Sequence, residues 1–228
     1  MRIGILEDDT ALAAQLDALL TVAGHRCTIF HSGRKLIGYL GHETVDLLLL
    51  DWNVPEMSGL DVIRWQKQHL DVQAPVLMLT SRTAEEDIVA ALQEGADDFI
   101  IKPVGARVLL ARIEVAERRA YPTPVNTDIE TYRGYLFDLR SKSIKLEGEP
   151  IPVAGKEFAL ALLLFRNMHR TLSRSYILEA IWGLGPELKT RTLDAHISKL
   201  RVKLHLRAEN GLKLAPVYAY GYRLEAVD

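Results

Sequence analysis

The sequence predicts a doubly wound α/β domain with a five-stranded parallel sheet, followed by a smaller α+β domain. Three observations carry this reading. Short apolar runs recur through the first half: Ile3-Gly4-Ile5-Leu6, Leu47-Leu48-Leu49-Leu50, Val76-Leu77-Met78-Leu79 and Phe99-Ile100-Ile101. Amphipathic segments of helix length separate them, which suits strands buried on both faces and joined by crossover helices of one hand. Beyond residue 127 the order changes to a β-rich stretch, then helices, then a hairpin. A chain of 228 residues is long enough for two domains of roughly 100 residues each.

The elements follow in order. A strand from Arg2 to Leu6 leads to a helix from Thr10 to Ala23, with Thr10 as its cap and Gly24 as its terminator. The second strand spans Arg26 to Phe30 and its helix Ser32 to Leu40. The third runs from Asp46 to Leu50, and the next helix from Gly59 to Leu70. Pro75 to Leu79 form the fourth strand, and Thr83 opens a helix that Gly95 closes. Phe99 to Ile101 form the fifth, ahead of a helix from Gly105 to Ala120. The first domain therefore covers residues 1–120. Two prolines in Tyr121-Pro122-Thr123-Pro124-Val125-Asn126-Thr127 make residues 121–127 a short, partly stiff linker. The second domain, residues 128–228, begins with β structure from Tyr132 to Val153. Helices follow over Gly155 to Met168, Ser173 to Trp182 and Thr190 to Leu206, and Asn210-Gly211 starts a terminal hairpin.

Hydrophobic residues make up 48% of the chain and charged residues 25%, which supports a folded core and excludes intrinsic disorder. The single cysteine, Cys27, has no internal partner for a disulfide and lies in a predicted strand. No apolar run nears the roughly 20 residues of a membrane span, and a strand starting at Arg2 leaves no room for a leader. A cytoplasmic protein without membrane attachment is the expectation. The net charge of −2 hides an asymmetry. Residues 1–120 carry 12 Lys+Arg against 18 Asp+Glu, whereas residues 128–228 carry 16 against 12. An acidic half suits a cation, and a basic half suits a polyanion.

In an open parallel sheet, sites form beyond the carboxyl ends of the strands. Glu7 and Asp8, Asp51, Thr80 and Lys102 all stand at such ends. Three carboxylates, a hydroxyl and an ammonium in one crevice have the chemistry for moving a phosphoryl group onto a carboxylate beside a divalent cation. Asp51 is the candidate nucleophile and phosphoacceptor. Asp8, Glu7, Asp51 and the backbone carbonyl of Asn53 are the candidate oxygen ligands for Mg²⁺, a cation that favours hard donors. Lys102 and Thr80 would contact the phosphoryl oxygens. Taken singly, an Asp after four leucines is more often a turn or cap; the ordered set outweighs that.

The ordered series Glu-Asp, Asp, Thr, Lys-Pro resembles the receiver domain of bacterial two-component response regulators. Asp51-Trp52-Asn53-Val54-Pro55, Met57-Ser58-Gly59 and Gly95-Ala96-Asp97-Asp98-Phe99 strengthen the resemblance. The remaining half resembles the winged helix-turn-helix output domain of the OmpR/PhoB type. This implies a DNA-binding transcription factor that a sensor histidine kinase phosphorylates on Asp51, and that forms a homodimer when active. It also implies that Thr80 and Phe99 act as the switch pair, and that residues 183–189 lie where relatives contact RNA polymerase. No enzymatic role is implied beyond slow self-dephosphorylation.

The output helix, Thr190 to Leu204, sets Leu193, Ile197, Leu200 and Leu204 on one stripe. Arg191, Thr192, Ala195, Ser198, Lys199 and Lys203 spread over the other side. That is the footprint of a major-groove reader. Ser198 and Lys199 are assigned to base edges, with Thr192 as a weaker candidate. Arg191, His196 and Arg201 are assigned to phosphates or local packing, and Asp194 to pairing with a neighbouring base.

Three departures from the family pattern stand out. Tyr218 occupies the wing position where relatives carry Arg, and Ala219 replaces a glycine, leaving Arg223 as a substitute cation. Ala90 and Val108 replace a charged pair at the usual dimer face, leaving Asp97 or Asp98 with Arg112 as a link between protomers. Ala154 replaces the Thr that would cap the helix containing Glu157. Two alternatives remain at this stage: a regulator whose DNA binding ignores phosphorylation, and a Mg²⁺-dependent aspartyl-nucleophile phosphatase. The second lacks an acid two residues after Asp51, where Asn53 stands.

Overall fold

A computed structural model describes residues 1–81, 84–121, 128–183 and 191–227, with Arg191 described in its backbone alone. The chain divides into two compact units, residues 1–123 and 124–228. The first unit alternates strand and helix: β1 (Arg2–Leu6), α1 (Thr10–Val22), β2 (Arg26–Phe30), α2 (Gly33–Leu40) and β3 (Leu47–Asp51). It continues with α3 (Gly59–His69), β4 (Val76–Thr80), α4 (Glu85–Glu94), β5 (Asp98–Ile101) and α5 (Ala106–Ala120). All four strand pairings are parallel, in the order β2-β1-β3-β4-β5. The order reverses at β1 and β3, which opens a crevice beyond their carboxyl ends.

The apolar runs are buried on both faces, as their lack of alternation predicted. Leu48, Leu50 and Met78 pack with α2, α3 and α4 residues on one side. Ile3, Ile5, Leu47, Leu49, Leu77 and Leu79 pack with α1 and α5 residues on the other. Leu47, Leu48, Leu49 and Leu50 are all fully enclosed. Boundaries shift by a residue or so, and caps fix the starts of α1 and α3. Asp9, not Thr10, caps α1: its carboxylate accepts from the Ala11 and Leu12 backbone N–H groups. Ser58 and Asp61 close a reciprocal capping box at α3. The Thr83 start expected for α4 lies outside the described residues. Cys27 is half-buried on β2, and burial pushes its thiol up to about 11, so it is a packed residue and not a reactive thiolate.

The second unit opens with β6 (Ile129–Tyr132), β7 (Tyr135–Asp138), β8 (Ser143–Leu146) and β9 (Glu149–Ile151), an antiparallel sheet in that order. Arg133-Gly134 and Glu147-Gly148 turn its first and last hairpins with positive φ at both residues, as type I′ turns require. Next come α6 (Gly155–Arg166), β10 (Leu172–Ser173), α7 (Arg174–Trp182), α8 (Arg191–Lys203), β11 (Leu212–Val217) and β12 (Gly221–Ala226). The hairpin follows Gly211 as expected, but it is joined by β10 in the order β10-β12-β11. Two residues are too few to read as a strand from sequence. The pairing depends on Gly221, where a Cβ would stand 2.0 Å from the Leu172 carbonyl oxygen. The core gathers residues from all three helices and both sheets, among them Phe137, Phe165, Leu178, Leu193, Ile197 and Leu224.

Candidate functional site

The parallel sheet delivers the acidic crevice. Glu7 follows β1 directly, Asp51 ends β3, Thr80 ends β4 and Lys102 follows β5. Glu7, Asp51 and Thr80 are buried, and Asp8 is exposed at the mouth. One carboxylate oxygen from each of Glu7, Asp8 and Asp51 lies within 4.8 Å of the others. Hard oxygen donors at that spacing fit a magnesium ion that keeps part of its water shell.

Lys102 closes the far side. Its Nζ lies 2.8 Å from Glu7 Oε2 and 3.0 Å from Asp51 Oδ2. Burial, partly offset by the Lys102 hydrogen bond and reinforced by the Asp51 charge, pushes the Glu7 carboxyl up from its ordinary value. Burial works against the Lys102 ammonium, but its hydrogen bonds to Glu7 and Asp51 prevail and raise it. Asp51 is further fixed by the Asn53 N–H, which donates to Oδ1 at 3.3 Å. Gly59 presses on the same strand end: a Cβ there would approach the Asp51 carbonyl oxygen to 2.5 Å. The loop after β3 therefore needs a glycine at the start of α3 to hold Asp51 in place.

One residue at this crevice, His31, was not legible as a site residue. His31 Nδ1 donates to the Glu7 carbonyl oxygen at 2.7 Å, clamping the loop that carries the acids. Asp9, adjacent to Asp8, is engaged as the α1 cap. Only its position at the end of β2 could have drawn attention to His31. Phe99 is half-buried against the core on the α2–α4 side, with the Arg112 guanidinium 6.0 Å from its ring centre.

On α8 the expected stripe is present: Leu193, Ile197 and Leu200 are fully enclosed, as is Leu204 just beyond the helix. Thr192, Ala195, Ser198 and Lys199 are exposed. The other assigned contacts divide. Lys203 turns inward to Glu157, Nζ to Oε2 at 2.7 Å. Arg201 is half-buried, its Nε donating to the Leu214 carbonyl at 2.8 Å and its guanidinium 5.8 Å from the Tyr222 ring centre. His196 Nδ1 donates to the Thr192 carbonyl, and its ring packs edge-on against Trp182. Arg223 pairs with Glu225, Nη2 to Oε2 at 2.8 Å. Lys203, Arg201 and Arg223 therefore each hold a partner within their own unit. Asp194 pairs with Arg174, the intradomain partner role expected of it. The Arg191 side chain and residues 184–189 lie outside the described residues.

The residues assigned to the dimer face have these surroundings within the chain. The Asp97 carboxylate accepts the Val76 N–H at 2.7 Å, and Arg112 pairs with Asp98 inside the chain. Asp97 is nonetheless exposed and Asp98 half-buried. Ala90 on α4 and Val108 on α5 are exposed, as are Val89, Leu92 and Ile101.

Fold and crevice together define a class: a phosphoacceptor-type α/β domain joined to a winged-helix unit. Comparison with known proteins agrees. Residues 3–114 match the response regulator receiver domain family, and residues 148–224 match the C-terminal domain of transcriptional regulatory proteins. The chain is 36% identical over 227 residues to the sensory transduction protein RegX3 of Mycolicibacterium smegmatis, covering 97% of each. It is 31% identical over 220 residues to the phosphate regulon transcriptional regulatory protein PhoB of Pseudomonas aeruginosa, covering 96% of this chain and 95% of that one. The receiver domain of the Francisella response regulator 1452 shares the fold of the first unit at a TM-score of 0.50 and 20% identity, over 52% of this chain and 97% of that one. The chain belongs to the two-component response regulators of the OmpR/PhoB type, which act as transcription factors. Among the described residues no helix is long and apolar enough to cross a membrane.

Proposed function

We propose that Asp51 accepts a phosphoryl group from a phosphohistidine of a sensor kinase, and that the modified chain dimerises and binds promoter DNA. The observation that carries this reading is the placement of Lys102 Nζ 3.0 Å from Asp51 Oδ2 in a crevice with two further carboxylates. An Asp51 oxygen attacks phosphorus, the phosphorus–nitrogen bond breaks, and the histidine leaves with its electron pair. Lys102 and the Thr80 hydroxyl then offset charge on the phosphoryl oxygens. Glu7, Asp8, Asp51 and the Asn53 carbonyl would hold Mg²⁺, which supplies positive charge to the transferring group. Thr80, drawn to the phosphoryl group, vacates space into which the half-buried Phe99 turns. That movement changes the surface formed by α4, β5 and α5, where Val89, Leu92, Ile101 and Val108 already expose apolar area.

Thr192, Ser198 and Lys199 are the side chains proposed to reach base edges. The decisive experiment measures dimerisation and promoter binding with and without beryllofluoride and Mg²⁺, in wild type and Asp51→Ala. Both should tighten in wild type alone. Equal DNA binding in every condition would overturn the switch and favour a phosphorylation-independent regulator.

A further inference from the structure

Glu7 and Asp8 lie past the end of the β1–β2 ladder, whose last paired residues are Leu6 and Phe30. The Glu7 N–H still reaches the Phe30 carbonyl at 3.0 Å. The Glu7 carbonyl takes its donor from a side chain, the His31 imidazole, with Nδ1 2.7 Å from the oxygen. A carbonyl only accepts, so Nδ1 carries the proton. Glu7 is fully enclosed, and a buried carbonyl stripped of its donor is costly.

This bond bears on Asp8, whose side chain is exposed at the crevice mouth. The peptide joining Glu7 to Asp8 is planar, so holding its oxygen sets the direction in which the Asp8 backbone leaves. On the other side Asp9 is engaged as the α1 cap, its Oδ1 accepting from the Ala11 and Leu12 N–H groups at 2.8 and 3.1 Å. Asp8 therefore stands between two anchored neighbours. The turn that carries His31 is itself seated against the loop after β3. A Cβ on Gly33 would come within 2.8 Å of the Met57 carbonyl oxygen, and Arg34 Nε lies 3.7 Å from Glu56 Oε2. The β2–α2 turn thus touches both loops that carry candidate oxygen donors, Glu7 and Asp8 on one and Asn53 on the other.

We propose that His31 is a positioning residue for the divalent cation: its hydrogen bond to the Glu7 carbonyl holds Asp8 at ligand spacing from Glu7 and Asp51. This rests on the Mg²⁺ reading of the crevice. A carboxylate on a loose loop has to be ordered by the ion, which lowers affinity; a loop already held spares that cost. Partners one step removed from a metal commonly change its affinity tenfold or more. Phosphoryl transfer then depends on His31 through the cation, without contact between the imidazole and phosphorus.

The test uses the full chain and Mn²⁺, an ion that shares the preference of Mg²⁺ for carboxylate oxygen and is counted directly by electron paramagnetic resonance. Asp51→Ala defines the signal that belongs to the crevice, and competition with Mg²⁺ checks it. His31→Ala and His31→Phe, which lack the donor, should each bind Mn²⁺ about tenfold more weakly than wild type. His31→Asn should bind as wild type does, because its amide can present an N–H to the same carbonyl. Urea melts without metal follow folding: a merely structural role would lower the midpoint and leave the affinity alone. The Phe and Asn variants decide the matter even where His31→Ala folds poorly. Wild-type affinity in His31→Phe, or a loss in His31→Asn equal to that in His31→Phe, would each overturn the proposal. A wild type that binds Mn²⁺ no better than Asp51→Ala would instead overturn the Mg²⁺ reading on which it rests.

Discussion

Glu130 shows how one buried side chain sets a local acid limit. On β6, it accepts from Arg166 through Nε at 3.1 Å and Nη2 at 2.5 Å, and from the Tyr132 hydroxyl at 2.7 Å. The Arg166 hydrogen bond, opposed by burial and aided by Tyr132, holds its carboxyl below the ordinary 4.5. A depressed carboxylate gives stability that is present above its unfolded pKa and is lost as pH falls through the folded value. Arg166 is partly solvated, which limits what its loss of a partner costs. Glu130→Gln should therefore destabilise the second unit by about 2 kcal/mol at pH 7. That difference should fade below pH 4.5, followed by urea melts across pH. A gap that persists in acid would mean that shape, and not charge, is what Glu130 contributes.

At the scale of elements, helix ends and turns show where local chemistry is incomplete. At α6 the Glu157 carboxylate accepts the Ala154 N–H at 2.8 Å, but Ala154 has no side-chain oxygen to return the bond. Half a capping box is present. Ala154→Thr should supply the missing half and stabilise the second unit by about 1 kcal/mol, read as a raised midpoint in denaturant. No gain would mean that Glu157, already bonded to Lys203, leaves the cap no suitable geometry. The same Lys203 bond shows why a helical wheel overstates the basic face of α8. A wheel assigns side chains to directions, but long cations bend toward any buried acid within reach. Lys203 finds Glu157, whereas Lys199 stays in solvent.

For the whole molecule, the surface of α4, β5 and α5 is where phosphorylation would become assembly. Its exposed residues Val89, Leu92, Ile101 and Val108 have no charged counterpart at Ala90. An apolar contact between two copies gains from burial without a charge to desolvate. Ala90→Arg should then place an unpaired charge at that contact and weaken the beryllofluoride-induced dimer at least tenfold in sedimentation equilibrium. An unchanged dimer would place the interface elsewhere. The acidic first unit and basic second unit are legible from composition alone, and they match an acidic crevice in one and an exposed α8 face in the other.

The sequence by itself determined the five βα units, the residues at the strand ends and the buried stripe of α8. Each of these depends on periodicity or on adjacency along the chain. Parallel strands bring their carboxyl ends together whatever the loops do, so Glu7, Asp8, Asp51, Thr80 and Lys102 could be grouped before any coordinates. Tertiary structure alone decided which charges were already engaged. Arg201 with the Leu214 carbonyl, Lys203 with Glu157, Arg112 with Asp98 and His31 with the Glu7 carbonyl join residues 11 or more positions apart or in different elements. No sequence period encodes such pairs, because they form only where packing brings two elements within hydrogen-bond reach. The two-residue strand β10 belongs with them: its pairing with β12 exists because Gly221 lets two backbones meet.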